Sequence, residues 1–196
     1  MYEQDEESPH RYLFQNRMPQ KDCVIADIGA AEGIFALDVI QYGKKIYLFE
    51  CDQEWIEALR LTFAEEIKNG KAEIVDAFIG AEDDAAKKTL TLDTFFKDKQ
   101  LDYVKADIEG AEEAMLAGGE MTFTQKVQDV LLCCYHTQNA ESMFKTYLYE
   151  KGFNHIEVNQ KWMIWSHQLV LFKKPLEKPY LRRGVLFASK SENNSI

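Results

Sequence analysis

Apolar positions along the chain fall into two rhythms. Short apolar-rich runs stand at 23–26 (CVIA), 46–49 (IYLF), 72–75 (AEIV), 101–106 (LDYVKA) and 127–135 (VQDVLLCCY), the pattern of strands in a covered sheet. Between them the spacing turns helical. Ile56, Leu59, Phe63 and Ile67 step by three, four and four through 53–68, with charges on the opposite face and Asn69-Gly70 as the stop. Residues 33–42 read as a helix closed by Gly43, and 110–116 as a short one. Residues 139–151 carry Met143/Phe144 and Tyr147/Leu148 on one stripe, with Asn139 to cap the start and Gly152 the end. Three further runs, 153–158, the Trp-rich 162–172 and 184–188, follow without helices between them. They predict an antiparallel hairpin at one edge of the sheet.

Strand–helix alternation of this kind predicts an α/β fold: a Rossmann-like, mostly parallel sheet with helices on both faces. With 196 residues the chain suits one domain. We read residues 1–20 as a polar lead-in able to form a lid, 21–189 as the main domain and 190–196 as a disordered tail. In such sheets ligands bind beyond the carboxyl ends of the strands. That rule nominates positions 27–33, 50–52, 76–77, 107–109 and 135–136.

Charge narrows the partners. Lys and Arg total 23 against 33 Asp and Glu, a net of −10. Nucleic-acid binders present a basic face to phosphates, and here only short clusters such as Lys173-Lys174 and Arg182-Arg183 occur, so no nucleic-acid partner is expected. No stretch approaches the roughly 20 apolar residues of a membrane span, and MYEQDEESPHRY lacks the apolar centre of a secretory signal. Cys23, Cys51, Cys133 and Cys134 form no C-x-x-C pair and have no His at zinc-finger spacing. A reducing cytoplasm is the expected location.

Four constellations carry chemistry. DIGAAEG, from Asp27 to Gly33, follows a strand and opens a helix. Ala31 stands where a dinucleotide fingerprint has its second glycine, which argues against NAD or FAD. The D-x-G-x-x-x-G form is that of a nucleoside-cofactor loop, with Gly29 and its neighbours close to the ligand and Asp27 able to take its ammonium. Glu50 follows Asp27 by 23 residues at the end of the second run, where one carboxylate can accept both ribose hydroxyls. Asp107, Glu109 and Glu112 crowd the end of the fourth run, with Lys105 as counter-charge. They suit a general base, metal ligands or an acidic helix start. His136 ends the fifth run, and a His is the natural base for a hydroxyl near neutral pH.

VIADIGAAEG, LFECD, TLDTFF, YVKADIEGAEEAML, CCYH and the LRRGV-L-A ending together resemble the FkbM-family methyltransferases, over roughly residues 22–188. The KADIEGAE block is the most specific part. The resemblance implies a class I methyltransferase fold, S-adenosylmethionine as methyl donor, and O-methylation of a sugar or natural-product hydroxyl. It places Asp27, Gly29, Ala30, Ala31 and Gly33 in the cofactor loop, Glu50 on the ribose with Cys51 beside it, and Asp76 with Ala77 near the adenine. It sets Asp107, Glu109 and His136 toward the acceptor. Two positions depart from the family's common pattern: Glu32 where Asn is frequent, and Cys51-Asp52 where Pro is frequent.

The expected chemistry is in-line displacement at a sulfonium methyl, with His136 or Asp107 as base. Asp107 and Glu109 could instead hold a divalent cation such as Mg²⁺. The Trp162, Met163, Trp165 cluster either stacks on an acceptor or fills an edge core. A cofactor-binding module without catalysis and a dinucleotide oxidoreductase are the competing classes. The acceptor's identity and the oligomeric state are left open.

Overall fold

The computed structural model describes residues 3–164, 178 and 180–191. After a lead-in with one 3₁₀ turn at Phe14–Asn16, the chain alternates strand and helix: β1 (Cys23–Ile28), α1 (Ile34–Val39), β2 (Gly43–Glu50), α2 (Gln53–Thr62), α3 (Ala64–Lys68) and β3 (Ala72–Asp76). A small excursion follows, with β4 (Phe78–Ile79) and β5 (Thr89–Leu90) paired to each other, then α4 (Leu92–Phe95). The second half runs β6 (Tyr103–Ala106), α5 (Glu112–Ala117), α6 (Glu120–Gln125), β7 (Asp129–Cys133), α7 (Ala140–Glu150) and β8 (His155–Val158). It closes with β9 (Trp162–Ile164), β10 (Leu181–Arg183) and β11 (Val185–Ser189).

The main sheet has seven strands in the order β3-β2-β1-β6-β7-β11-β8. The first five are parallel, and β11 runs antiparallel to both β7 and β8. Strands β1, β7 and β11 are buried at every residue, because packing covers both faces. On one face Leu92, Phe96, Met115, Phe123 and Phe144 pack over Val24, Val104 and Val130. On the other, Phe35, Leu59 and Phe63 pack over Ile25, Leu48 and Leu131. The chain crosses from one side to the other between β1 and β6, so the site opens above these two strands.

The lead-in belongs to the second face. Leu13 and Phe14 are buried in that core. Arg17 pairs with Glu157 at 2.5 Å and lies 5.4 Å over the Phe187 ring. Apolar side chains from 12–18 thus cover the part of the sheet where β6, β7 and β11 meet.

Several expected elements change shape. The helix read over 53–68 divides at Phe63 (φ −105°, ψ 26°), whose ring lies with Leu59 against Gly33. Gly43 opens β2 opposite Cys23 instead of closing α1. The antiparallel pair is made by β8 and β11, with the later strand inserted beside β7. The start of the Trp-rich run forms a separate ribbon with β10, while Trp165 and the rest of 165–172 lie outside the described residues. Of the tail, Lys190 donates to the Phe123 carbonyl at 2.6 Å, and 192–196 lie outside the described residues. All four cysteines are free thiols. Among the described residues, no helix is long and apolar enough to cross a membrane.

Candidate active site

The loop after β1 is shaped by what a side chain would strike. Gly29 has φ +73°, and a Cβ there would collide with the Asp107 carbonyl oxygen. Glycine alone allows the β1 and β6 loops to touch. The amides of Gly29 and Ala30 both donate to the Phe49 carbonyl, at 3.0 and 3.1 Å. The next amide, of Ala31, donates to Glu50 Oε2 at 2.9 Å. Glu50 Oε1 accepts from the amides of Cys51 and Asp52 at 2.8 and 2.9 Å. Three backbone donors therefore fix this half-buried carboxylate where β2 ends.

Beside it lies a pocket of about 380 Å³, within the range of small-ligand sites. Its wall includes Gly29, Ala31, Glu50, Cys51 and Ala77 from the expected cofactor set, and Asp107 and Glu109 from the acceptor set. Phe49, Trp55, Phe78 and Ile79 supply apolar surface. Trp55 and Phe78 were not anticipated from the sequence. The first lies on a helix face and the second in the unread excursion after β3.

Asp27 requires a correction. It is fully buried, is absent from the pocket wall, and its Oδ1 lies 2.9 Å from Lys105 Nζ, itself 2% exposed. In this structure its carboxylate faces Lys105 and not the pocket. Lys105 also donates to the Gly29 carbonyl at 2.7 Å, so the pair ties the loop to β6 from below. Burial pushes the Asp27 carboxyl up, and Lys105 opposes that shift. Lys105 is thus ion-paired to Asp27, and its charge also acts on Asp107 of the trio at 107–112. Ala30, Gly33 and Asp76 are likewise off the pocket wall. Gly33, at φ +80°, lies under the Phe63 ring. Asp76 pairs with Lys88 at 2.8 Å on the surface, and that hydrogen bond holds its carboxyl below the usual range.

At the ends of β6 and β7 the acids and the histidine do converge. Asp107 Oδ2 accepts from the Tyr12 hydroxyl at 2.7 Å, and Oδ1 from the Tyr135 hydroxyl at 2.9 Å. His136 Nε2 lies 3.4 Å from Asp107 Oδ1, and its Nδ1 is 2.8 Å from Glu112 Oε1. Glu112 also accepts from the Ile108 amide at 3.1 Å. Arg182 Nη1 donates to the Tyr135 and His136 carbonyls at 2.6 and 3.1 Å, fixing that turn. The result is a connected chain, Glu112–His136–Asp107, with two phenols on its outer carboxylate.

Its electrostatics follow from burial and neighbours. Burial works against an ionised Asp107, but Lys105, the two phenols and His136 outweigh it and hold the carboxyl below the usual range. Burial would likewise lower His136. Hydrogen-bonded Glu112, with Asp107 and Glu109, raises it instead. His10, whose ring centroid is 4.3 Å from that of Tyr135, is lowered, chiefly by burial. Glu109 stands on the pocket wall in the left-handed region at φ +55°, followed by Gly110 at +97°.

Tyr12 had no signal in the sequence, where the lead-in reads as polar. It lies 95 residues from its partner. Glu112 was noted only as one acid among three, and the structure makes it the histidine's partner. Among the described residues, Asp107, Glu112 and His136 place ligand atoms within 4.8 Å of one another. Glu109 is not in that set, so the cation expected between Asp107 and Glu109 would have to be held differently. His136 and Glu112 are hydrogen-bonded, Asp107 accepts from both tyrosines, and His136 Nε2 lies 3.4 Å from Asp107, an arrangement that suits proton transfer as well as it suits a metal.

Residues 80–160 match the family model described as the methyltransferase FkbM domain. No curated protein matches the chain. Among solved structures, the methyltransferase FkbM from Methylobacillus flagellatus KT superposes with a TM-score of 0.68 at 13% identity, covering 90% of this chain. This chain spans 46% of that relative's length. The precorrin-6y C5,15-methyltransferase from Geobacter metallireducens GS-15 gives 0.57 at 16% identity, covering 88% of this chain and 83% of that one. A Streptococcus mutans protein described as a methyltransferase, in complex with SAH, gives 0.54 at 11% identity over 89% and 92% of the two chains. These likenesses show a shared fold. Residues 80–160, which contain the KADIEGAE block and His136, thus match the FkbM methyltransferase domain, and the chain shares the Rossmann-like sheet of these methyltransferases.

Proposed function

We propose that this protein transfers a methyl group from S-adenosylmethionine to a hydroxyl of a small-molecule or glycan acceptor. One observation carries the reading. A carboxylate-oriented histidine, Glu112–His136, stands at the carboxyl end of the sheet next to a nucleoside-sized pocket.

The pocket residues fit that cofactor. Glu50 Oε2 accepts only one of the hydrogen bonds described, from Ala31, and a carboxylate oxygen can accept two, which leaves room for a ribose hydroxyl. Trp55 and Phe78 are exposed on the pocket wall and offer flat surface to a purine. Gly29 keeps the loop bare of side chain. S-adenosylmethionine held here would supply an electrophilic methyl on a sulfonium.

The chain's own residues then have distinct parts. Glu112 accepts from Nδ1–H and sets the tautomer, so Nε2 can receive the acceptor's proton. Asp107, ionised and held by two phenols, is a fixed anion and a poor base. It steadies the imidazolium as the proton arrives, much as a triad carboxylate does.

Calorimetric titration with S-adenosylmethionine, S-adenosylhomocysteine and NAD⁺ tests the reading. Saturable binding of the two sulfur ligands without NAD⁺ supports it, and methyl-labelled donor then reports transfer to sugar and polyol panels. No binding of either sulfur ligand overturns it.

A further inference from the structure

His136 stands between two carboxylates that hold it unequally. Its Nδ1 lies 2.8 Å from Glu112 Oε1, a full hydrogen bond. Its Nε2 lies 3.4 Å from Asp107 Oδ1, beyond the usual span of roughly 2.7–3.2 Å. A carboxylate can only accept, so the bond to Glu112 places the ring proton on Nδ1. An Asp107 carboxylate able to turn and close the remaining gap would draw a proton to Nε2 as well. A ring protonated at both nitrogens donates twice and keeps no lone pair for an incoming proton.

Two phenols determine where that carboxylate sits. The Tyr12 hydroxyl donates to Oδ2 at 2.7 Å and the Tyr135 hydroxyl to Oδ1 at 2.9 Å. Tyr12 comes from the lead-in and Tyr135 from the turn after β7, so two separate elements grip Asp107. Both bonds run to an ionised acceptor and are of the stronger, charge-assisted kind.

We propose that Tyr12 and Tyr135 are positioning residues: by occupying the Asp107 carboxylate they hold it off His136 Nε2 and leave the ring proton with Glu112. The proposal rests on the function proposed above, in which Nε2 receives the acceptor's proton. Neither phenol takes that proton. Asp107 stays near enough for its charge to favour the imidazolium once the proton has arrived.

Tyr12 is the residue to test. Its ring meets Phe35 edge-on with centroids 6.1 Å apart, and Lys105 Nζ lies 4.8 Å from its centroid. Tyr12→Phe keeps that packing and removes the hydroxyl alone. The turn that bears His136 is fixed independently, by Arg182 Nη1 on the Tyr135 and His136 carbonyls. A displaced ring proton in this variant therefore reports on Asp107.

The experiment is nitrogen-15 NMR on the full chain with labelled histidines, in buffer cleared of divalent cations and at a fixed pH of about 9, well above the ordinary histidine range. His136→Gln identifies the relevant signal among the four histidines. In the wild type the proton should sit on Nδ1. Tyr12→Phe should raise the fraction protonated at Nε2 about fivefold, the scale of one hydrogen bond, and combining it with Tyr135→Phe should raise that fraction further. Calorimetry with S-adenosylhomocysteine on the wild type reports the cofactor reading separately. A wild-type ring already protonated at Nε2, or a proton that stays on Nδ1 in both the single and the double variant, overturns the positioning role and leaves the cofactor reading standing. If S-adenosylhomocysteine does not bind, the cofactor reading fails, and the part given to the two tyrosines in that reaction fails with it.

Discussion

Asp27 and Asp107 are two carboxylates around one lysine, and burial gives them opposite tasks. Asp27, fully enclosed with Lys105, is a joint of the scaffold. Removing one member of such a pair leaves a buried charge alone, which typically costs about 3–5 kcal/mol. Lys105→Met should therefore lower the urea midpoint sharply, and an unchanged midpoint would refute the joint. In the proposed function His136 is the base. His136→Ala should cut turnover about 10²–10⁴-fold while S-adenosylmethionine affinity holds, read by initial rates beside calorimetry. Because Glu112, Asp107 and Glu109 raise its pKa against the effect of burial, the acid limb of turnover should lie above the ordinary histidine value of about 6.5. The same shift bears on stability with a definite sign. A histidine raised in the folded state stabilises fully below about 6.5, and the contribution is lost as pH rises through the folded value. The gap in unfolding free energy between wild type and His136→Gln should close in that direction. At this scale the sequence marked which acids and which histidine gather at strand ends. It could not say which acid was buried, because that depends on Lys105 turning toward β1.

At the scale of elements, the β1 and β6 loops touch backbone to backbone at Gly29. Gly29→Ala meets both a φ of +73° and the Asp107 carbonyl. An unstrained glycine replacement stabilises by up to about 1 kcal/mol, whereas this one should destabilise by more than that and should also weaken nucleoside binding, as paired denaturation and calorimetry would show. Periodicity made the alternation of strands and helices legible because each buried run is short and bounded by Gly or charge. It read Ile67 as continuing the apolar stripe of α2, whereas the chain bends at Phe63 so that this ring can cover Gly33. The excursion from Phe78 to Leu90 escaped notice since two-residue strands carry no period. Within it lies Phe78 of the pocket wall.

For the whole molecule, the lead-in is part of the scaffold and of the site together. Leu13 and Phe14 fill one core, and Tyr12 from the same segment reaches Asp107. Full burial of such side chains contributes about 1.5–3 kcal/mol each, a large part of a typical total of 5–15. Deleting residues 1–18 should leave a chain that melts far lower or fails to fold, whereas a detachable lid would leave the melting temperature in place. No local pattern could show this, because the contacts span the length of the chain. The position of β11 has a further consequence, in time. The strand that completes the sheet lies between β7 and β8, yet it is made after both. On a ribosome adding roughly 5–20 residues per second, β7 and β8 wait a few seconds with the gap between them open. Through that interval two apolar strand edges are exposed to other nascent chains, so the load on chaperones should fall late in synthesis, when β11 emerges and fills the slot.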